Sequence, residues 1–348
     1  MILELKKNRP NMKDVADEAG VSKSAVSLAL RNDSRISEKT RLMVHAAAEK
    51  LGYQRNPVVD SLMTQLRVGS SPTFQANIGL INCTESDNLS NDRTVSHLRD
   101  GVCKRAKQLG YGIEEFWLQR SDATPERLEQ ILHARGIRGL ILIVPLSEKS
   151  IDQRFLKVWS GFPCAILGST LLADRFNCAT NDQYLTTRRS AEKLIGMGYQ
   201  RPMLIVPEVD DVLHDNKFSA GFVSVTSRLL PLPNRIDPVW YLEGDSSENL
   251  TAIEKYKPDV IISNKFEIYK MVLKAGISVP EDIGFYLMDW QEDNAGISGM
   301  RQNNRSVGAA CADLVVEHIQ KNEGGIQLSP KVVLIESKAV EGHTVVCQ

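Results

Sequence analysis

From residue 76 onward, short apolar runs alternate with amphipathic stretches, and this rhythm limits the chain to one broad architecture. ANIGLINC, YGIEEFWL, RGLILIVP and FPCAILG come first, each followed by a helical pattern or a gap. RPMLIVP, PDVIIS and DIGFYLMD form a second set, with helical stretches over 211–229 and up to AGI. Strands that alternate with helices are joined by crossovers, so they pair in parallel and bury both sheet faces. Two successive sets of about 100 residues each predict two doubly wound α/β lobes. KVVLIES and AVEGHTVV near the end are expected to return and complete them.

The first 67 residues have a different texture. Met12, Val15, Ala16 and Ala19 fall on one stripe of a helix, and Gly20 ends it. Ser22 is a natural N-cap for a second helix over 23–31, with Ala25, Val26, Ala29 and Leu30 facing inward. Ser37 caps a third, with Glu38 in its first turn, which runs through Leu42, Ala46 and Leu51 to Gly52. Asn56 and Pro57 then open a short apolar stripe of Val58, Val59, Leu62, Met63 and Leu66. GSSPT at 69–73 breaks it and marks the best domain boundary in the chain.

Charge follows the same division. Residues 1–67 hold 12 Lys/Arg against 8 Asp/Glu, while the remainder holds 30 against 35. A basic module on a nearly neutral chain of net charge −1 suits a polyanionic partner. A helix ended by glycine, a short turn and a second helix is the helix-turn-helix pattern, which many helical bundles share. What separates this one is its outward face, where Lys23, Ser24, Ser27, Leu28 and Arg31 place donors and small groups suited to phosphates and base edges.

Other classes find little footing. The six cysteines at 83, 103, 164, 178, 311 and 347 form no CxxC pair, so neither a zinc site nor a disulfide framework is indicated. MILELKKNRP lacks the apolar core of a signal peptide, and no apolar run approaches a membrane span, so a cytoplasmic protein is expected. No GxSxG, HExxH, P-loop or GxGxxG occurs, His45 reads as a surface residue, and no enzyme, cofactor or metal is expected.

DVADEAGVSKSAVSLAL, RISEKTR and AAEKLGY leading into NPVVDSL resemble the headpiece of the lac repressor (LacI) family of bacterial transcription regulators. GVCKRAKQLGYGIE, RGIRGLIL, VPEDIGFYLMD and ISGMRQNN follow in the order of that family's effector domain. The resemblance implies an all-α headpiece (1–55), a hinge helix and linker (56–73), and a two-lobed periplasmic-binding-protein-like domain (74–348). The N-lobe is expected over 74–175 and 305–335, and the C-lobe over 176–304 and 336–348.

By the same resemblance Lys23 and Ser24 read bases, and Asn11, Ser22 and Ser27 hold phosphates. Leu28 stands where many relatives carry arginine. Contact with a thymine methyl and simple packing both remain open for it, and Arg31 or Arg35 would restore the charge. Leu62 matches the residue that wedges into the minor groove in relatives, although Arg55 replaces a usual proline nearby. In the cleft, Asn264 and Asp289 match positions that bond sugar hydroxyls, with strand-end capping as the alternative role. Phe218, in NKFSAGF, stands at a sugar-clamping arginine's place, and Trp290 replaces a second aspartate. These two rings either stack on a ligand or fill the cleft.

The expectation is therefore a repressor that binds a palindromic operator as a homodimer, with a small, carbohydrate-like effector in the cleft. No leucine heptad follows Gln348, which favours a dimer over a tetramer. A sugar-binding protein of the same lobes without a DNA role is the alternative, and the basic module speaks against it.

Overall fold

The computed structural model describes residues 12–30, 33, 35–51, 74–83, 93–118, 124–144, 152–168, 176–241 and 247–348. Asn11, Arg31, and the whole 56–73 segment with Leu62 lie outside these residues, as does the side chain of Ser27. Elements are numbered below in chain order among the described residues.

Three helices form the headpiece: α1 (Met12–Ala19), α2 (Lys23–Ala29) and α3 (Glu38–Leu51). Their core is small, built from Val15, Ala16, Ala19, Val26, Ala29, Val44, Ala47 and Ala48. Alanines at the crossing points let three short helices approach closely, which suits a module with few apolar residues. Gly20 takes φ +64°, the left-handed conformation that ends α1 without a steric penalty. On α3 the inward stripe is Val44, Ala47 and Ala48, whereas Leu42 and Ala46 are exposed. His45 is exposed as well. Lys50 reaches Glu18 at 2.6 Å, tying α3 to α1 at the surface.

The rest forms two sheets. The first comprises β1 (Ala76–Asn82), β2 (Tyr111–Trp117), β3 (Ile137–Ile143), β4 (Cys164–Leu167), β5 (Asn177–Asn181) and β11 (Val332–Ile335). Its order is β11-β5-β4-β3-β1-β2, parallel throughout. The second comprises β6 (Pro202–Pro207), β7 (Val239–Tyr241), β8 (Val260–Ser263), β9 (Gly284–Leu287), β10 (Gly299–Arg301) and β12 (Lys338–Val340). Its order is β12-β10-β9-β8-β6-β7, with β12 the one antiparallel strand. The central strands are apolar on both faces because helices cover both sides; every residue of β6 is buried.

In the N-lobe, α4 (Arg93–Gln108) and α12 (Asn304–Lys321) cover one face. The other is covered by α5 (Pro125–Ala134) and α6 (Leu156–Ser160), with Trp159 fully buried. In the C-lobe, α7 (Gln183–Gly196) and α9 (Lys217–Leu229) pack on one face, and α10 (Ser247–Tyr256) and α11 (Phe266–Lys274) on the other. The boundary expected at 176 moves: β5 belongs to the first sheet, so the chain first leaves the N-lobe at Asp182. It crosses back before α12 and again between β11 and β12.

The α4–α12 contact is set by glycine. A Cβ on Gly308 would lie 2.0 Å from the Leu98 carbonyl oxygen, and one on Gly101 would lie 2.0 Å from that of Arg305. Backbone meets backbone here, and no flexible side chain can yield. Gly308→Ala should therefore destabilise the N-lobe by about 1–3 kcal/mol or more, measured as a lower urea midpoint at unchanged m-value.

The cysteines are all free. Burial pushes the Cys178 thiol up to about 12 and also raises Cys164 and Cys311. Cys103 is half-buried and Cys347 exposed, and the other four are buried.

Candidate nucleic-acid interface and interlobe cleft

The headpiece presents α2 with Lys23 and Ser24 at its exposed N-terminal end. Ser22 sets that end: its Oγ accepts from the Ala25 amide at 3.2 Å with φ −72° and ψ 155°, an ordinary N-cap. A hydroxyl that accepts one bond still has its proton to donate, so capping leaves Ser22 free to hold a phosphate oxygen. No partner engages the Lys23 ammonium among the described residues, so its charge is undivided. Arg35 is different. Its guanidinium forks onto Asp33 with two contacts of 2.9 Å, which removes it as the replacement charge beside Leu28. Leu28 itself is half-buried but stands apart from the residues that pack on the headpiece core.

The helix expected over 211–229 is two helices. Asp215 and Asn216 take φ 60° and 55°, and this break separates α8 (Glu208–Leu213) from α9. Asp and Asn tolerate that region better than other non-glycine residues. Asp211, fully buried, accepts from the amides of Phe218 and Ser219 through Oδ1 at 3.0 and 3.1 Å, capping α9. Its Oδ2 is buried without a partner.

This rearrangement decides what Phe218 does. The ring is 1% exposed and belongs to the C-lobe core with Leu194, Tyr199, Phe222 and Tyr286. The expectation that it lines the effector site is corrected: the benzyl group replaces a polar clamp with core packing. His214 closes over it edge-on at 5.2 Å and bonds the Asp210 carbonyl through Nδ1 at 2.7 Å. Burial holds that imidazole below its usual range, the Asp210 carbonyl bond opposing the shift only in part.

The other cleft residues stand at carboxyl ends of the second sheet, where open α/β sheets bind ligands. Asn264 follows β8, but its Nδ2 donates to Asp210 Oδ2 at 2.7 Å. Lys265 reaches the same oxygen at 3.1 Å. The chain's own carboxylate thus holds the amide that would read a hydroxyl, and Asn264 Oδ1 is buried without a partner. Asp289 accepts from Gln291 Nε2 at 3.3 Å. Trp290 packs partly on the C-lobe core and also lines a cleft of about 190 Å³.

That cleft lies where the chain crosses between lobes, and several of its residues were missed in the sequence. His97 comes from α4, and Arg301, Gln302, Asn304 and Arg305 come from the crossover into α12. ISGMRQNN was noted above as a family match without any role for its arginine, glutamine or asparagines. Only the strand-to-helix crossover brings them to the cleft, and no spacing rule marks it.

The three crossovers are tied together. Gln183 and Gln302 exchange amide contacts at 3.3 Å, and Asn181 Nδ2 donates to Asn304 Oδ1 at 2.7 Å. Asn303 Nδ2 donates to the Glu336 carbonyl at 2.5 Å, and Thr186 meets Ser337 at 2.8 Å. Across the mouth, Arg93 of the N-lobe pairs with Asp293 of the C-lobe at 2.5 Å. These short polar contacts at the three crossovers, with the Arg93–Asp293 ion pair, join the two lobes.

Comparison with known proteins agrees with both halves of this anatomy. Residues 11–56 match the family model described as "Bacterial regulatory proteins, lacI family". The chain is 24% identical to the HTH-type transcriptional regulator KdgR of Bacillus subtilis (strain 168) over 349 residues, covering 94% of this chain and 97% of that one. Among solved structures it resembles a transcriptional regulator CelR–cellobiose complex, with TM-score 0.59 and 17% identity over 97% of this chain and all of that one. A lac repressor dimer bound to operator and the anti-inducer ONPF gives TM-score 0.56 and 22% identity over 97% of this chain and all of that one. No helix among the described residues is long and apolar enough to cross a membrane. Residues 11–56 thus match the lacI family of bacterial regulatory proteins, and the two parallel-sheet lobes joined by three crossovers share the fold of these solved structures.

Proposed function

We propose that this protein represses transcription in the cytoplasm by binding a palindromic operator as a two-fold dimer, and that a small molecule in the interlobe cleft modulates that binding. The observation that carries the reading is α2. Lys23 and Ser24 stand exposed on a helix capped by Ser22, in a module whose core is separate from the lobes. Lysine donates to guanine O6 and N7, and serine is permissive. Asn11, Ser22 and Ser27 are assigned to phosphates, and Arg31 to the backbone or a base edge. Leu28 is assigned to a thymine methyl, because it is half-buried yet outside the headpiece core.

Residues 56–73 are assigned as the hinge, with Leu62 wedged into the minor groove at the operator centre. One headpiece covers a short half-site, so useful affinity needs two, and operator symmetry mirrors protein symmetry. An effector that fits one relative orientation of the lobes better shifts the population toward it and so orders or releases the hinge. The relatives are transcription regulators, and we assign this chain no catalytic role.

The test is selection of bound sequences from a random duplex pool at moderate salt. A palindrome with a constant central step is expected, with affinity falling steeply with salt as counterions are released. Recovery of an asymmetric single half-site would overturn the dimer, and recovery of nothing, with and without metabolite extract, would overturn the DNA-binding reading.

A further inference from the structure

The cleft has a chemical bias. Several polar groups left unpaired in its lining are donors. Trp290 Nε1 is buried with no partner. The Arg301 guanidinium, at the exposed end of β10, makes no hydrogen bond or ion pair among the described residues. Asn304 is 3% exposed, gives its Oδ1 to Asn181, and its Nδ2 has no partner among the described residues. All three line the same space, and α12 begins there. Asn303 makes no side-chain cap on that helix, and its Nδ2 donates to the Glu336 carbonyl.

The acceptors are mostly engaged elsewhere. Asp289 takes the Gln291 amide, and the two glutamines at the waist satisfy each other. Arg305, also in the lining, keeps a loose pair with Asp100 at 3.6 Å. Glu292 is the one carboxylate among the described lining residues and is exposed. Two groups expected at a ligand are withdrawn from it, since Asp210 holds the Asn264 amide N–H and Phe218 lies in the core.

A neutral sugar's hydroxyl oxygens can accept from these donors, but its own hydroxyl protons would find few acceptors here. A group that brings only acceptors matches a guanidinium, an indole N–H, a side-chain amide and the positive end of an eighteen-residue helix together. We infer that the cleft of this regulator takes an anionic small molecule, its carboxylate or phosphate oxygens held by Arg301, Trp290 and Asn304 at the start of α12. This rests on the effector reading above and narrows it to a charge class.

The experiment is titration calorimetry on the full chain with four probes: a neutral hexose, the matching six-carbon aldonate, the hexose 6-phosphate and inorganic phosphate. Operator affinity is measured in parallel. At least one organic anion is expected to bind ten-fold or more tightly than the neutral hexose and to change operator affinity. Whichever of the two binds tighter identifies the source of the charge. Arg301→Gln should weaken that anion at least ten-fold, and Arg301→Lys should recover part of the loss. Equal binding of hexose and anions, unmoved by Arg301→Gln, would overturn the charge assignment and leave the effector reading standing. Inorganic phosphate bound as tightly as the organic anions, with no change in operator affinity, would mean an adventitious ion only and overturn the inference. Silence from all four probes, while a metabolite extract still alters operator affinity, would overturn the anion and keep an effector of another class.

Discussion

Replacing Lys23 and Ser24 together by alanine is expected to lower affinity for the selected operator by about 10²–10³-fold while leaving the thermal midpoint unchanged. A good base contact discriminates by about 1–3 kcal/mol, and a dimer loses it in both half-sites. Stability stays because both side chains are exposed and neither belongs to the headpiece core. The cap is also spared, since Ser22 rather than Ser24 accepts the Ala25 amide. The salt dependence separates the two kinds of contact. If Lys23 reads a base, the double variant keeps most of its slope on log salt and loses discrimination between operator and scrambled duplex. If the slope drops and discrimination survives, Lys23 is a phosphate contact and the base-reading assignment fails. Ser22→Ala makes a useful contrast: it removes the cap as well, so it should cost about 1 kcal/mol of headpiece stability along with any phosphate contact.

The parts of the molecule legible in the sequence were those governed by local chemistry. Gly20 and Ser22 fixed the turn of the headpiece because a left-handed residue and a cap acceptor are needed at those positions whatever surrounds them. The alternation of apolar runs located both sheets, since buried parallel strands leave little room for polar residues. Failures came where tertiary context outweighs pattern. A single helix through 211–229 satisfies periodicity, but Asp211 finds two amides to cap and Asp215–Asn216 supply a bend, so the chain breaks there. The boundary at 176 missed because β5, NCATN, carries too few large apolar residues to read as a strand, although all five are buried. Asn264 and Asp289 stand at strand ends, as the sequence order implies, but their partners were not legible. Asp210 lies on an unforeseen helix, and Arg301 and Asn304 reach the cleft only through the crossover.

Phe218 gives the sharpest test of that difference. As a ring lining an open cleft, its truncation would cost little stability. As a 1% exposed member of the C-lobe core, packed under His214 and beside Phe222, it is expected to cost about 3–5 kcal/mol when changed to alanine. In a domain of this size that lowers the thermal midpoint by roughly 10 °C. Phe218→Leu fills most of the same space and should cost less than about 1.5 kcal/mol. The pair of substitutions separates volume from chemistry: a large loss with alanine and a small one with leucine is the signature of core packing. A midpoint unmoved by Phe218→Ala would instead mean that the ring stands free in the cleft, as the family correspondence allowed. That result would also reopen the stacking of a neutral ring and remove one of the two closures that leave an anion as the better match. Phe218 therefore bears on the effector without touching it. By lying in the core, it gives up the polar clamp and leaves recognition to the donors at the start of α12.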